Sequence, residues 1–600
     1  MNYILLVGLW LCSAVSLLAA PGVEMVFQPV ALSGQLAPGL TNNIKFNSFE
    51  YVSLADDGRI AFTAIPQGPG VTSTNNRGLW AGLPGDLNLL VRTGDLVPGG
   101  TNGETFTALT KPNIDNDRAV GLLAKHSDED PAIKEQRLWV NELLRKEADR
   151  VEDKLYEIRQ KIVAELRIAF SHYNGYVING VAGRAELFGP GIGPTNNQAI
   201  VAGPPTNVTI VAQTGFPAPG VSGNFTFFPD DSQMLALMPD GNVAFVAIAE
   251  GSSGFPGLWF GKASAVQVVA FKNHPAPASL LGPGYIFGLV AIIANVEVNA
   301  QGELAFATTL AGPGLNNTNS AFVVAGPPGG LRVIVQSGQP APGIPGAVFA
   351  DFSHVLLGTD GTVAFTARYT TNGTDYVSGL WLAPTNGAPP ILLMHAGQRA
   401  PGTPAGVYFT RDFSVEAYFM NSRNQIVFRS RLSGPGFDHF DNGIWLAEPD
   451  GTVHLIVRKG DMVDTGSGVM ARVSNVTFGA DPEFIAGPED GRRTPFNDRG
   501  EVALQIYFDA PPPPLTGSGG LFIAQTGLIL RAERIGNDIH LRFPTLTNQN
   551  YRVDYATNLI APIVWSALDS PVPGTGSPVI VTNTGAAAFA QRYYRVVRTD

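Results

Sequence analysis

Carboxylates are the side chains of this 600-residue chain best suited to chemistry. Asp230 and Asp231 adjoin in FFPDDSQ, Asp351 follows in VFADF, and Asp438 and Asp441 flank His439 and Phe440 in FDHFDNG. Brought together from distant segments, such groups would hold Ca²⁺ through oxygen ligands, or divide into a general acid and a general base. Sequence spacing alone does not bring them together. The histidines His126, His172, His274, His354, His395, His439, His454 and His540 are scattered without metal-ligand spacing. Nucleophile-elbow, phosphate-loop, zinc-helix and EF-hand patterns are absent from the sequence. No catalytic, cofactor-binding or metal-ligating residue is therefore assigned, and no cofactor is expected.

The remaining aspartates point to turns. Asp57, Asp240 and Asp360 precede glycine at the head of DDGRIAFTA (56–64), PDGNVAFVA (239–247) and TDGTVAFTA (359–367). AQGELAFAT (300–308) and SRNQIVFRS (422–430) repeat the pattern, and NDRAVGLLA (116–124) and NDRGEVALQ (497–505) are weaker copies. A turn that accepts positive φ, followed by alternating apolar residues, is a hairpin signal.

Two more marks recur with a period of about sixty residues. One is an aromatic after a small residue, at Trp80, Trp139, Trp259, Trp381 and Trp445, with Ile200, Val323 and Phe522 completing the series. The other is a strand ending in APG or a variant, with prolines at 38, 98, 219, 277, 342 and 401. Each unit reads as four short strands separated by turns, without helical periodicity. Such a meander repeated around a ring is a β-propeller. Trp381 is expected to pack between blades, Gly379 to permit close strand approach, and Gln398 to Gly402 to lead into the next blade.

VFQPVALSGQLAPG (26–39) copies a fourth strand with no first three before it, and the last unit has three strands ending in GGLFIAQ. The N-terminal strand is expected to close the ring. Counting a degenerate mark near Asn179, the units number eight; seven blades is the alternative.

Residues 128–170 break the pattern. KEQRLWVNELLRKEADRVEDKLYEIRQKIVAELRIAF lacks Gly and Pro and is dense in charge. Leu144, Ala148, Val151, Leu155, Ile158, Ile162 and Leu166 recur at steps of three and four, the stripe of an amphipathic helix. A helix over 141–168 is expected to replace the outer strand of the second blade. Its stripe would pack on the propeller flank or join a second copy of the chain.

The chain opens with an apolar run from Ile4 to Leu18, read as a secretory signal peptide over 1–20. No later segment suits a membrane span. The lone cysteine, Cys12, lies inside that run, so the expected mature chain has no disulfide. Charged residues are 15%, and a net charge of −11 argues against nucleic acid as a partner. From about residue 527 the marks stop. DIHLRF, NYRVDYATNL, VWSAL, SPVIVTN and QRYYRVVRTD then predict a small β-sandwich over 527–600, after a propeller over 21–526.

NAQGELAF (299–306) resembles the NxxGxxAF signature of secreted bacterial tandem-repeat proteins of the choice-of-anchor type, across most of 25–525. The tail YRVDYATNL…VW…RYYRV is similar to a C-terminal module on secreted proteins of Verrucomicrobia and Planctomycetes. Both resemblances imply an exported protein and carry over no catalytic residue. The expectation is an exported, non-catalytic binding or scaffold protein, in the periplasm, at the cell surface or outside the cell. A glycan or protein partner would meet face loops such as 65–77, 310–320 and 508–520. The alternative is a polysaccharide-active lyase or hydrolase on the same scaffold.

Overall fold

The Asp-Gly turns explain how each unit starts. Asp57 accepts a hydrogen bond from the Arg59 backbone N–H (3.0 Å), Asp240 from Asn242 (2.8 Å) and Asp360 from Thr362 (2.9 Å). Gly58, Gly241 and Gly361 take φ of 85°, 85° and 83°, where only glycine escapes a steric penalty. A computed structural model of the protein describes residues 7–10, 25–96, 105–142 and 167–598, with short breaks inside the last two ranges.

The described residues are nearly all β. Each turn joins the first and second strands of an antiparallel sheet whose later strands follow in chain order. The first sheet runs Lys45–Leu54, Ile60–Gln67, Gly78–Leu83 and Asp86–Arg92. The second has Phe106–Ile114, Ala119–His126 and Arg137–Glu142. The third starts with Arg167–Asn174 and ends with Thr209–Gln213. The fourth, fifth and seventh have split first strands that include Leu235–Leu237, Glu297–Val298 and Ala417–Met420. The sixth begins with Val348–Leu357. The eighth combines Met470–Thr477, Glu501–Phe508 and Gly519–Thr526 with the N-terminal strand Met25–Leu32.

Successive sheets share apolar clusters. Phe228 and Trp259 of the fourth sheet pack with Ala182 and Ile200 of the third, and Phe306 of the fifth packs with Val246 of the fourth. Val323 of the fifth meets Phe365 and Trp381 of the sixth, and Leu380 of the sixth meets Phe428 and Trp445 of the seventh. Val427 of the seventh joins Leu504 of the eighth, and Leu521 of the eighth joins Phe62 and Trp80 of the first. Ala61 and Leu79 of the first reach Phe106 and Val120 of the second. Arg137–Glu142 of the second lies beside Arg167–Asn174 of the third. The arrangement is propeller-like.

The sixty-residue marks are one packing device. The Trp80 indole N–H donates to Pro38 O (2.9 Å), Trp259 to Pro219 O, Trp381 to Pro342 O and Trp445 to Pro401 O (each 3.0 Å). Each indole stacks on the phenylalanine paired with it across the strands, at 6.0–6.3 Å and 12–18°, in Phe62–Trp80, Phe245–Trp259, Phe365–Trp381 and Phe428–Trp445. A third ring from the first strand meets it edge-on, as Phe349 does Trp381 at 5.0 Å. The glycine two residues earlier makes room for the ring. A Cβ on Gly78, Gly379 or Gly443 would lie 2.6–2.7 Å from the tryptophan Cη2. Trp381 packs where the sequence places it, but Gly379 clears space for the indole as well as for the neighbouring strand, whose Met394 carbonyl is also near.

The helix read over 128–170 is corrected at its ends. Arg137–Glu142 and Arg167–Asn174 are strands, paired through Leu122↔Trp139 and Ala169↔Glu186. The two ends fall in register with the strands beside them, and ladder bonds override helical propensity there. Residues 143–166, with the whole of the predicted stripe, lie outside the described residues. Among the described residues no helix is long and apolar enough to cross a membrane.

Beyond residue 526, Arg531–Ile535, Asp538–Phe543 and Val579–Asn583 form one sheet, and Asn550–Ala556 with Gln591–Arg598 form another. Leu541, Tyr551, Val581 and Tyr594 pack in one cluster shared by the two. Val7–Trp10, inside the run read as a signal peptide, pairs antiparallel with Gln591–Arg598.

Candidate functional site

The first strands of the sheets end at a common place, and a strap from the eighth sheet occupies it. Thr477 and Glu501 bound a long excursion between two neighbouring strands, whereas residues 55–59 suffice in the first sheet. Ile485 and Ala486 pair in parallel with Tyr418 and Phe419 of the seventh sheet. Leu237 N–H of the fourth sheet donates to Asp490 O (3.0 Å). Ala300 N–H, just after the fifth sheet's first strand, donates to Glu489 Oε2 (2.8 Å). Leu54 N–H of the first sheet donates to Thr494 O (2.9 Å). The strap ties four sheets together.

Arg492 is its centre. Its side chain and those of Glu297 and Asp490 are 0–1% exposed. Nη1 donates to Glu297 Oε1 (2.5 Å) and Asp490 Oδ2 (2.8 Å), and Nη2 to the carbonyls of Leu235 (3.2 Å) and Val296 (2.8 Å). Asn295 Nδ2 adds a bond to Glu297 Oε1 (2.8 Å) and one to Val355 O of the sixth sheet (2.6 Å). Two carboxylates therefore share one guanidinium. Burial first, then the charge of Asp490, raises the Glu297 carboxyl well above its usual range, against the pull of Arg492. Glu297 Oε2 is buried with no acceptor role filled. A proton there gives it a donor toward Asp490, a bond that favours the neutral acid.

Beside the strap is a polar recess of about 90 Å³, lined by Asp56, Ile114, Met420, Arg492, Thr494 and Asp498 among others. Asp498 Oδ1 accepts from Ser422 N–H (2.7 Å), and Asp56 Oδ1 from Asp498 N–H (2.7 Å). Burial, then repulsion from Asp56, raises Asp498 above the ordinary carboxylate range. Burial lowers the nearby Arg423, against the attraction of Glu448, Asp498 and Asp56.

Of the carboxylates expected from sequence, the two described, Asp351 and Asp441, do not line the recess. Asp351 pairs with Arg368, and Asp441 with Lys459. Asp230, Asp231 and Asp438 lie outside the described residues. His395 packs against Tyr369, whose hydroxyl is 3.1 Å from Nδ1, and burial lowers its pKa. His274 stacks edge-on with Phe271 at 5.1 Å. Among the described residues no three His, Cys, Asp or Glu side chains are grouped to hold a metal ion.

Sequence reading missed the strap. Asp490-Gly491 resembles the unit turns, and it folds like them: Asp490 Oδ1 accepts from Arg492 N–H (2.8 Å), and Gly491 has φ of 77°. No second strand follows directly. The excess length between the marks SRNQIVFRS (422–430) and NDRGEVALQ (497–505), well over the sixty-residue period, was the available signal.

Two of the expected face loops, 65–77 and 310–320, hold the same turn, and 189–197 holds a further copy; of the third expected loop, 508–520, residues 510–517 lie outside the described residues. In 68–76, 189–197 and 312–320 a Gly-Pro-Gly is followed by an asparagine that closes the loop on itself. Asn75 Nδ2 donates to Gly70 O, Asn196 to Gly191 O and Asn319 to Gly314 O, at 3.0–3.1 Å. Their Oδ1 atoms accept from the backbone N–H of Thr72, Gly193 and Asn316, at 2.6–2.7 Å.

A family model matches residues 21–145, 165–392 and 379–528, in successive segments as a repeat protein does. The chain belongs to the DUF7453 family, a family of unknown function. No curated protein matches the chain in sequence. Among solved structures, a Mycobacterium tuberculosis puromycin-hydrolyzing peptidase is similar over 88% of this chain and 62% of its own, at 10% identity and a TM-score of 0.31. The chain thus spans less than two thirds of that peptidase. The β-propeller domain of the Pyrococcus furiosus Trilobed protease matches over 73% of this chain and 91% of its own, at 8% identity and a TM-score of 0.27. The Fusarium graminearum α-L-arabinofuranosidase Arb93A matches over 59% and 91%, at 10% identity and a TM-score of 0.25. Likenesses this distant assign no activity to this member of the DUF7453 family.

Proposed function

We propose that residues 25–526 form a closed eight-bladed β-propeller that serves an exported, non-catalytic binding or scaffold protein, with a small β-sandwich behind it. The carrying observation is the filled axis. Propellers with axial sites keep that region open, whereas here Arg492, bonded to Glu297 and Asp490, is buried under the strap. Binding then falls to the face. The loops at 68–76, 189–197 and 312–320 repeat the same braced, exposed turn, and a repeated polar rim suits a ligand with repeated polar units, such as a polysaccharide. The resemblance to secreted NxxGxxAF proteins and the apolar run at 4–18 support export. A second reading, a polysaccharide-active enzyme, draws on Asp56 and Asp498 in the recess.

The test is retention of the purified protein on insoluble and immobilised polysaccharides, with assay of released sugar. The expected result is retention without release, lost when Asn75, Asn196 and Asn319 are all changed to Ala. Release of reducing or unsaturated ends that stops with Asp498→Asn would establish the enzyme instead. Retention on none of the polysaccharides would overturn the glycan reading.

A further inference from the structure

The strap carries a consequence that is independent of any ligand. Its contacts with the fourth and fifth sheets gather on the Arg492 side chain, the Asp490 backbone and carboxylate, and Glu489. Glu297 belongs to the wall and not to the strap. Among the described residues, the charged or titratable groups facing it are Asp490 and Arg492 from the strap and Tyr418 from the seventh sheet. Asn295 and the Val355 carbonyl are neutral. With the strap seated, one guanidinium faces two carboxyl groups, and a Cβ on Gly487 would lie 2.6 Å from Glu297 Oε2. Glu297 Oε2 is thus packed against the strap backbone, and its side chain is 0% exposed. With the strap lifted, Glu297 meets solvent and ionises as an ordinary carboxyl.

We propose that residues 485–498 are a proton-dependent seal over the centre of the ring: the closed state holds one proton on the Glu297 carboxyl, and opening releases it to solvent. Acid then favours closure. Rising pH favours an open state that uncovers Glu297, Tyr418 and the inner ends of the fourth, fifth and seventh sheets. The burial that lifts the Glu297 pKa supports this coupling. Linkage sets the size. Between the ordinary carboxyl value of about 4.3 and the raised value in the closed state, release of one proton shifts the opening equilibrium up to about tenfold per pH unit.

The experiment is amide hydrogen exchange on the full chain between pH 5 and pH 8.5. Exchange in 485–498 is referred at each pH to exchange in Val363–Thr370 of the sixth sheet, which cancels the intrinsic dependence on base. The expected ratio rises with pH in the wild type and is flat in Glu297→Gln, which keeps the shape of the neutral acid. A flat ratio in the wild type overturns the proposal. An equal rise in both proteins overturns it as well, because another group, such as Asp498, would then be responsible. If Glu297→Gln does not fold, the wild-type ratio decides alone.

Discussion

Gly379 and Trp381 offer a sharp test of why the repeat carries a small residue two positions before its aromatic. Gly379→Ala puts a methyl 2.7–2.8 Å from Cη2 and Cζ3 of Trp381 and 2.9 Å from the Met394 carbonyl. Gly379 does not have positive φ, so the backbone itself accepts alanine. The cost is overpacking, about 1–3 kcal/mol. Trp381→Leu removes the stack on Phe365 and the 3.0 Å bond to Pro342 O, and should cost about 3–5 kcal/mol. In the double variant the methyl meets no ring, and only the Met394 contact remains. The two costs should therefore fall short of additivity by about 1 kcal/mol or more. Urea unfolding of the wild type, both single variants and the double variant, followed by circular dichroism, reads this directly. Additivity within about 0.5 kcal/mol would refute the reasoning. Gly443 with Trp445 should behave alike. Gly257 with Trp259 should couple less, because Phe271 stands 2.7 Å from the same added methyl and stays in place.

Asn497 Nδ2 donates to Ala55 O (3.0 Å), stitching the eighth sheet to the first. Asn497→Ala should cost about 1–3 kcal/mol by leaving buried partners unsatisfied, and speed limited proteolysis of the N-terminal strand. Arg492→Met leaves two buried carboxyl groups and two carbonyls without their donor. It should cost about 3–5 kcal/mol in urea unfolding, far more than removal of the exposed Arg368. In the C-terminal sheets, burial raises Asp554, but bonds from Arg552 and Arg595 outweigh it and hold the carboxyl below its ordinary range. A depressed carboxyl stabilises the fold above its unfolded pKa, and that stability is lost as pH falls through the folded one. Thermal melts should show this acid loss, and Asp554→Asn should abolish it.

Much of the architecture was legible because it is local and repeated. The Asp-Gly turns, the alternation after them and the spacing of Trp80, Trp259, Trp381 and Trp445 each follow from the conformational needs of a few adjacent residues. Repetition at about sixty residues made the unit visible. The signature asparagine was legible as a mark but not as a device. Asn299 donates to Gly358 O (3.2 Å) and Asn421 to Asn497 O (3.1 Å), each reaching into another sheet. The two ends of the segment at 128–170 misled because a stretch dense in charge and free of Gly and Pro reads as helix whatever its neighbours. Strand pairing at 137–142 and 167–174 depends on neighbours that periodicity does not see.

The sequence by itself determined the strands, their turns and the packing unit, since each rests on φ preference, side-chain alternation or residue size. Only the tertiary structure decided what stands at the centre. Glu297, Asp490 and Arg492 are far apart or ambiguous in the chain, and Asp490-Gly491 looks like one more turn. Folding buries two carboxyl groups against one guanidinium, and burial is a property of the surroundings, not of the residue. The same holds for Asp351 and Asp441, which read as candidate chemistry in sequence and fold into pairs with Arg368 and Lys459.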